Sequence, residues 1–221
     1  RFNMGFERDN ILIQQWIGSR IASQKDAFAD KLKSNPAIVD VTFSSGKIVD
    51  LNKSRWGQTY KGELIAPNIF PVAPNFLSFM GIGITEGRDF IADDNRKSNF
   101  TVIFNQTAQR QYGLTVGERF GEWDIAGIAR DFNFKPLQYG IEPIAFAVFG
   151  DHPIAKSWQT GTLYVKVNPA NLSATLKFIR ETIQEFDPDA EENLKRFQKI
   201  YPDKQVFLIS AATRTGIDAL Q

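Results

Sequence analysis

The chain has 221 residues, 43% hydrophobic and 13% aromatic, enough apolar side chains to fill one large core or two modest ones. Lys and Arg total 26 against 25 for Asp and Glu, so the formal charge of +1 supplies no field to draw in nucleic acid or an anionic membrane. The absence of cysteine removes disulfides, thiolate nucleophiles, iron–sulfur clusters and cysteine-bound zinc, while leaving the compartment open.

No run of about eighteen apolar residues marks a membrane span, and no charged n-region with an apolar h-region marks a signal peptide. The chain begins at Arg1 without an initiator Met, which points to a piece of a longer protein. Ile11, Leu12 and Ile13 read as a strand reaching Trp16 and Ile17. Ser23 then reads as the N-cap of a helix, with Asp26 completing a carboxylate form of the capping box. Phe28 and Leu32 share one face, and Asn35-Pro36 stops the run. Ile38, Val39, Val41 and Phe43 give a second strand closed by Gly46, which completes a β-α-β unit.

From Arg55 to Asn75 the chain is turn-rich, with Gly57, Gly62, Pro67, Pro71 and Pro74 breaking it into short strands. Asn75 caps a brief helix carrying Phe76, Phe79 and Met80, Gly81 ends it, Ile82 to Thr85 form a short strand, and Glu86-Gly87 a turn. The scheme repeats with a strand from Thr101 to Phe104, Asn105 as N-cap, a helix through Ala108 and Tyr112, and Gly113 as stop. Strands follow around Phe120, from Ile125 to Ala129, and in a segment ending at Gly150. Leu163, Val165 and Val167 alternate as a half-buried strand. Asn168-Pro169 opens a long helix whose stripe is Leu172, Leu176, Ile179, Ile183 and Phe186, and Asp187-Pro188-Asp189 stops it. This second β-α unit resembles the first in kind, so the first and last thirds are expected to meet, with the middle third inserted between them. The tail adds a helix, a buried strand from Val206 to Ile209, and Ser210-Ala211-Ala212.

Several patterns imitate chemistry. The only histidine, His152, sits in a Gly-Asp-His-Pro turn and reads as a solvated loop residue. Gly46-Lys47 lacks both the earlier glycine and the following Ser or Thr of a phosphate loop. Gly81, Gly83 and Gly87 miss the dinucleotide spacing and follow a helix, where the fingerprint would follow a strand. Asp89, Asp93 and Asp94 lack the EF-hand spacing, and Asp187, Asp189, Glu191 and Glu192 read as solvated acids at a helix end. Asp131, with Phe132, Phe134 and Lys135, reads as a strand end packing its aromatics, with a protein-contact tip as the alternative. Ser210-Ala211-Ala212 looks like the guanine-contacting loop of Obg-type GTPases. However, no phosphate loop accompanies it, and Asn52-Lys53-Ser54-Arg55 has Arg where the base-reading Asp belongs.

The order of "NMGFERDNILIQQ", "LKSNPAIVDVTFSS", "VAPNFLSFMGIGITEGRDF", "VIFNQTAQRQYGL", "DIAGIARDFNFKP" and "LYVKVNPANLSATLKFIRETIQEFDPD" resembles the MacB-like periplasmic core domain of FtsX-type ABC transporter permeases, over about residues 1–189. Residues 190–221 depart from that pattern. The resemblance implies an α+β fold: a membrane-near β-α-β layer built from 1–69 and 151–221, with an inserted, strand-rich α/β subdomain at 70–150. Within it, the stretch from Val72 to Phe90 corresponds to a family signature that packs a small helix on a sheet and binds no cofactor.

The resemblance further implies a periplasmic domain between two spans of an inner-membrane permease. Such a domain passes ATP-driven motion from a cytoplasmic ABC ATPase subunit to an envelope protein or cargo, as a homodimer in the full transporter. No enzyme activity, catalytic residue, cofactor, metal or nucleic-acid partner is expected, and no substrate-binding residue is assigned. Two other readings stand beside this one. One is an enzyme, either a GTPase-related fragment or a carboxylate hydrolase using the acidic loops. The other is a periplasmic ligand-binding or sensor module, which a defined pocket lined by aromatics would favour.

Overall fold

The computed structural model describes residues 10–15, 17–48, 55–95, 100–132, 140–150, 155, 158–190, 192 and 209–210. In chain order the strands and helices are β1 (Ile11–Gln15), α1 (Ser19–Ser23), α2 (Lys25–Lys33), β2 (Ile38–Ser44), β3 (Gln58–Tyr60), β4 (Glu63–Ile65), β5 (Asn68–Val72) and α3 (Phe76–Phe79). They continue with β6 (Ile84–Gly87), β7 (Phe100–Asn105), α4 (Gln106–Tyr112), β8 (Arg119–Phe120), β9 (Trp123–Ala129), β10 (Ile144–Val148), β11 (Thr162–Val167), α5 (Leu172–Phe186) and β12 (Ile209–Ser210). The content is α+β, as expected. The chain divides into two units: a split one built from Arg8–Phe43 and Gly161–Gln221, and an inserted one containing Ser44–Thr160.

In the split unit the strand order is β12-β1-β11-β2. All five residues of β1 pair antiparallel with β11, from Ile11 opposite Lys166 to Gln15 opposite Thr162. β11 therefore lies between the two strands that the sequence joins through a helix. It is also more deeply buried than a half-buried strand, since Tyr164 is as inaccessible as Leu163 and only Lys166 is partly exposed. Its interior position is the physical reason. β12 pairs with the outer side of β1 through Leu12–Ser210 and Ile13–Ile209.

The first helical region differs from expectation at its start. Helix α1 begins after Gly18, and the Ser23 hydroxyl donates back to Arg20 O at 2.8 Å, so Ser23 closes α1 and does not cap α2. The apolar face is as expected: Phe28 and Leu32 are fully buried, and Phe28 meets Phe186 of α5 edge-on at 5.2 Å. Asn35 ends the segment as an Asx turn, accepting from Ala37 N at 2.9 Å. Asn168 caps the turn that leads into α5, accepting from Ala170 N at 3.1 Å. Two of the positions most deeply buried on α5 are Thr175 and Thr182, whose hydroxyls donate to Asn171 O and Phe178 O one turn back. That local bond lets a polar residue sit in an apolar face.

The inserted unit has the strand order β5-β10-β7-β9-β6, with β8 added to β9 and β3-β4 as a separate hairpin. β10 runs parallel to β5, β9 runs parallel to β7, and the other pairs in this sheet are antiparallel. Lys61 and Gly62 both have positive φ, 49° and 87°, the backbone that a two-residue hairpin turn requires. The hairpin adds Tyr60 and Ile65 to a core cluster with Ile69, Phe100, Phe104, Phe120, Trp123 and Ala155. The contact-dense unit accordingly begins well before position 70 and continues past 150.

Pro71, read from sequence as a breaker, sits inside β5 opposite Ala147. Its carbonyl accepts from Ser45 N, while the adjacent Val72 carbonyl accepts from Phe149 N. The N–H that proline lacks would point to the Ser45 side, away from β10, so the ladder to β10 loses nothing.

Candidate functional site

The signature from Val72 to Phe90 resolves into packing. Phe76, Leu77, Phe79 and Met80 are almost wholly buried, and Phe76 meets Phe70 of β5 at 5.6 Å and Phe146 of β10 at 6.5 Å. Asn75 precedes the helix but its side chain does not cap it. Gly81 (φ 66°) ends it as expected: its N–H donates to Ser78 O, and the Ile82 N–H to Leu77 O, the paired bonds of a Schellman motif. Glu86-Gly87, expected as a turn, is instead the end of β6, paired with β9 at a bulge. Gly87 has φ 72°, and a β-carbon there would strike the Ala126 carbonyl and lie 2.8 Å from Val116 Cγ1. Only glycine fits both the angle and the space.

Arg88 follows and grips the acidic cluster. Its guanidinium makes a two-point contact with Asp94, at 2.6 and 2.8 Å, and Asp94 also accepts from Ile91 N and the Thr101 hydroxyl, each at 2.9 Å. Burial pushes the Asp94 carboxyl up, but these donors outweigh it and hold the group below its ordinary value. Burial raises the Asp89 carboxyl. With its oxygens committed to a clamp between β7 and the loop after β6, Asp94 is not disposed as an acid or base for hydrolysis. Among the described residues no group of three His, Asp or Glu could hold a metal ion.

The other acidic candidates have similar employment. Asp131 accepts from the Thr107 N–H and hydroxyl, each at 2.9 Å, and pairs with Arg110 at 2.7 Å, so it braces the first turn of α4. Phe132 beside it is buried, as a strand end packing its aromatics would be, while Phe134 and Lys135 lie outside the described residues. Asp187, expected to be solvated, is 4% exposed. Its carboxylate packs against Gly18, where a β-carbon would collide with it, and Arg20 pairs with Asp189 at 2.9 Å. Gly46-Lys47 lies in a bend where the Ser44 hydroxyl donates to Gly46 O. His152, Asn52 to Ser54, Glu191 and Ala211-Ala212 lie outside the described residues.

What the sequence reading missed is a cleft of about 240 Å³ in the inserted unit. Trp56 and Trp158 line it together with Ile69, Pro71 and Arg55, and Ser45 and Gln159 complete the lining. Three of the four tryptophans gather here: Trp56 and Trp158 lie 5.9 and 6.5 Å from the buried Trp123, and Phe100 touches both Trp123 (4.8 Å) and Trp158 (5.4 Å). The indole N–H of Trp123 is buried, with no hydrogen-bond partner among the described residues. No local motif announces this site, because Trp56 and Trp158 approach each other only through the fold.

No family model matches the sequence, and no curated protein matches it either. Solved structures do match. The periplasmic region of MacB from Actinobacillus actinomycetemcomitans superimposes with a TM-score of 0.57 at 15% identity, covering 82% of this chain and 85% of that one. The extracellular domain of the noncanonic ABC-type transporter YknZ from Gram-positive bacteria gives 0.54 at 13% identity, over 79% and 92%. A domain described as that of a permease protein from Porphyromonas gingivalis gives 0.51 at 16% identity, over 100% and 98%. The chain thus has the α+β fold of the MacB-like extracytoplasmic domains of ABC transporter permeases.

Proposed function

We propose that the chain is an extracytoplasmic domain of an ABC transporter permease, and that it transmits ATP-driven conformational change from the membrane to an envelope partner or cargo without chemistry of its own. The observation that carries this reading is the likeness, over most of both chains, to domains whose names place them outside the membrane in such transporters. The employment of Asp94, Asp131 and Asp187 as internal braces supports an inert role. The partner that supplies the energy is a cytoplasmic ATPase subunit acting through the membrane-spanning part of the permease, which works as a homodimer.

Location is testable directly. Leu64 is 78% exposed on the hairpin, and this chain has no cysteine of its own. A Leu64→Cys variant, placed in a cysteine-free form of the parent protein, should react in intact cells with a maleimide that cannot cross the inner membrane. Reaction only after lysis would overturn the assignment.

A further inference from the structure

We propose that the cleft between Trp56 and Trp158 binds a small aromatic carboxylate, with the ring held by the two indoles and the carboxylate held by Arg55. The walls are preorganised: both indoles rest on the buried Trp123, and Phe100 is wedged against Trp123 and Trp158, so little side-chain freedom remains to be lost on binding. Ile69 and Pro71, both buried on β5, contribute apolar lining. A flat apolar body entering here meets ring faces and aliphatic surface.

Arg55 supplies the charge of the lining. Lys61, Arg88, Arg110 and Arg119 of the same unit each face a carboxylate, at 2.9, 2.6, 2.7 and 3.3 Å. Arg55 faces none among the described residues. The Ser45 and Gln159 side chains and the indole N–H groups of Trp56 and Trp158 likewise have no hydrogen-bond partner among the described residues. Arg55 offers donors only, while the Ser45 hydroxyl and the Gln159 amide can donate or accept. A guanidinium with no carboxylate partner among the described residues is suited to an anion, and its planar fork fits a carboxylate in two-point contact.

Size narrows the class. Pockets for drug-sized ligands run from about 300 to 1,000 Å³, so a 240 Å³ cleft has room for one ring with a short acid arm.

The test is titration calorimetry on the 221-residue chain with 3-phenylpropionate, its uncharged amide, and glucose as a ring-shaped neutral sugar. The acid should bind about tenfold or more tightly than the amide, the expected worth of a charge-assisted pair. Arg55→Gln should lower the acid to the level of the amide and leave amide binding unchanged. Trp158→Leu should weaken both. Thermal melts of each variant establish that it folds, and Lys47→Gln, a change outside the cleft lining, serves as a second charge-removing control that should leave acid binding intact. Acid and amide binding equally, glucose binding in preference to the acid, an effect of Lys47→Gln equal to that of Arg55→Gln, or no binding of the acid up to about 10 mM would each overturn the proposal. These measurements involve no transporter and no nucleotide, so their failure is separable from failure of the transport reading.

Discussion

Asn105 is fully buried, and its side chain serves three segments at once. Its Oδ1 accepts from Ala108 N at the start of α4 and from Ile144 N at the start of β10, each at 3.0 Å, and its Nδ2 donates to Glu142 O at 2.9 Å. The N-cap role is visible in the sequence, because Asn stands directly between an apolar strand and a helical run. The bonds to 142 and 144 are not, since they depend on β10 pairing with β7. Asn105→Ala should therefore cost more than an isolated cap: about 2–4 kcal/mol, with two backbone N–H groups and one carbonyl left unpaired. Urea denaturation measures it, and a loss of about 1 kcal/mol, the worth of a cap alone, would contradict the shared role.

Asp94 makes a pH-dependent case at the same scale. Its folded carboxyl lies below the ordinary value of 3.8, so it stabilises the fold above the unfolded pKa, and that contribution is lost as pH falls through the lower folded one. The difference in unfolding free energy between the native chain and Asp94→Asn should hold steady above about pH 5 and shrink below about pH 4. A difference that does not change with pH would show that Arg88 and Thr101 do not favour the charged form.

At the scale of elements, two glycines with nearly the same backbone angle separate conformational cost from steric cost. Gly113 ends α4 with φ 61° and open space where a β-carbon would go, while Gly87 has φ 72° and meets the β9 backbone. Gly113→Ala should cost about 1 kcal/mol. Gly87→Ala should cost about 3 kcal/mol or more, because β6 must part from β9. Equal costs in denaturant melts would remove the packing explanation for Gly87. The sequence showed Gly113 for what it is, because it follows a helix. It misplaced Gly87, because a left-handed glycine in a turn and one in a bulge are written alike and only the partner strand distinguishes them. Ser23 was misread for a related reason: its hydroxyl bonds back to Arg20 as readily as a cap bonds forward.

At the scale of the whole chain, the legible features were those with strong local punctuation or period. The long helix α5, the Asn105–Gly113 helix and the strand set of the middle third were readable on that basis, and so was the resemblance in segment order. Of the α5 stripe, however, only Ile179 is buried, with Leu172, Leu176, Ile183 and Phe186 half-buried. The insertion of β11 between β1 and β2, the tethering of Asp131 to α4, and the gathering of Trp56, Trp123 and Trp158 all join residues far apart in sequence. Periodicity carries no information about such pairs. The aromatic cleft makes a prediction here too: replacing Trp123 with Leu should loosen both cleft walls, weakening binding of the acid and amide together while leaving their ratio intact, since Arg55 is untouched. A changed ratio in calorimetry would count against Trp123 as a shared support.

The central claim, that this domain relays motion, is most directly tested with spin labels on Val39→Cys and Leu64→Cys. These sites are 62% and 78% exposed, and one lies in each unit of a chain without cysteine. In the full permease with its ATPase, in a cysteine-free background, pulsed electron resonance should give a distance distribution that differs between nucleotide-free and ATP-trapped states. One distribution common to both states, in a transporter shown to be active, would contradict the relay.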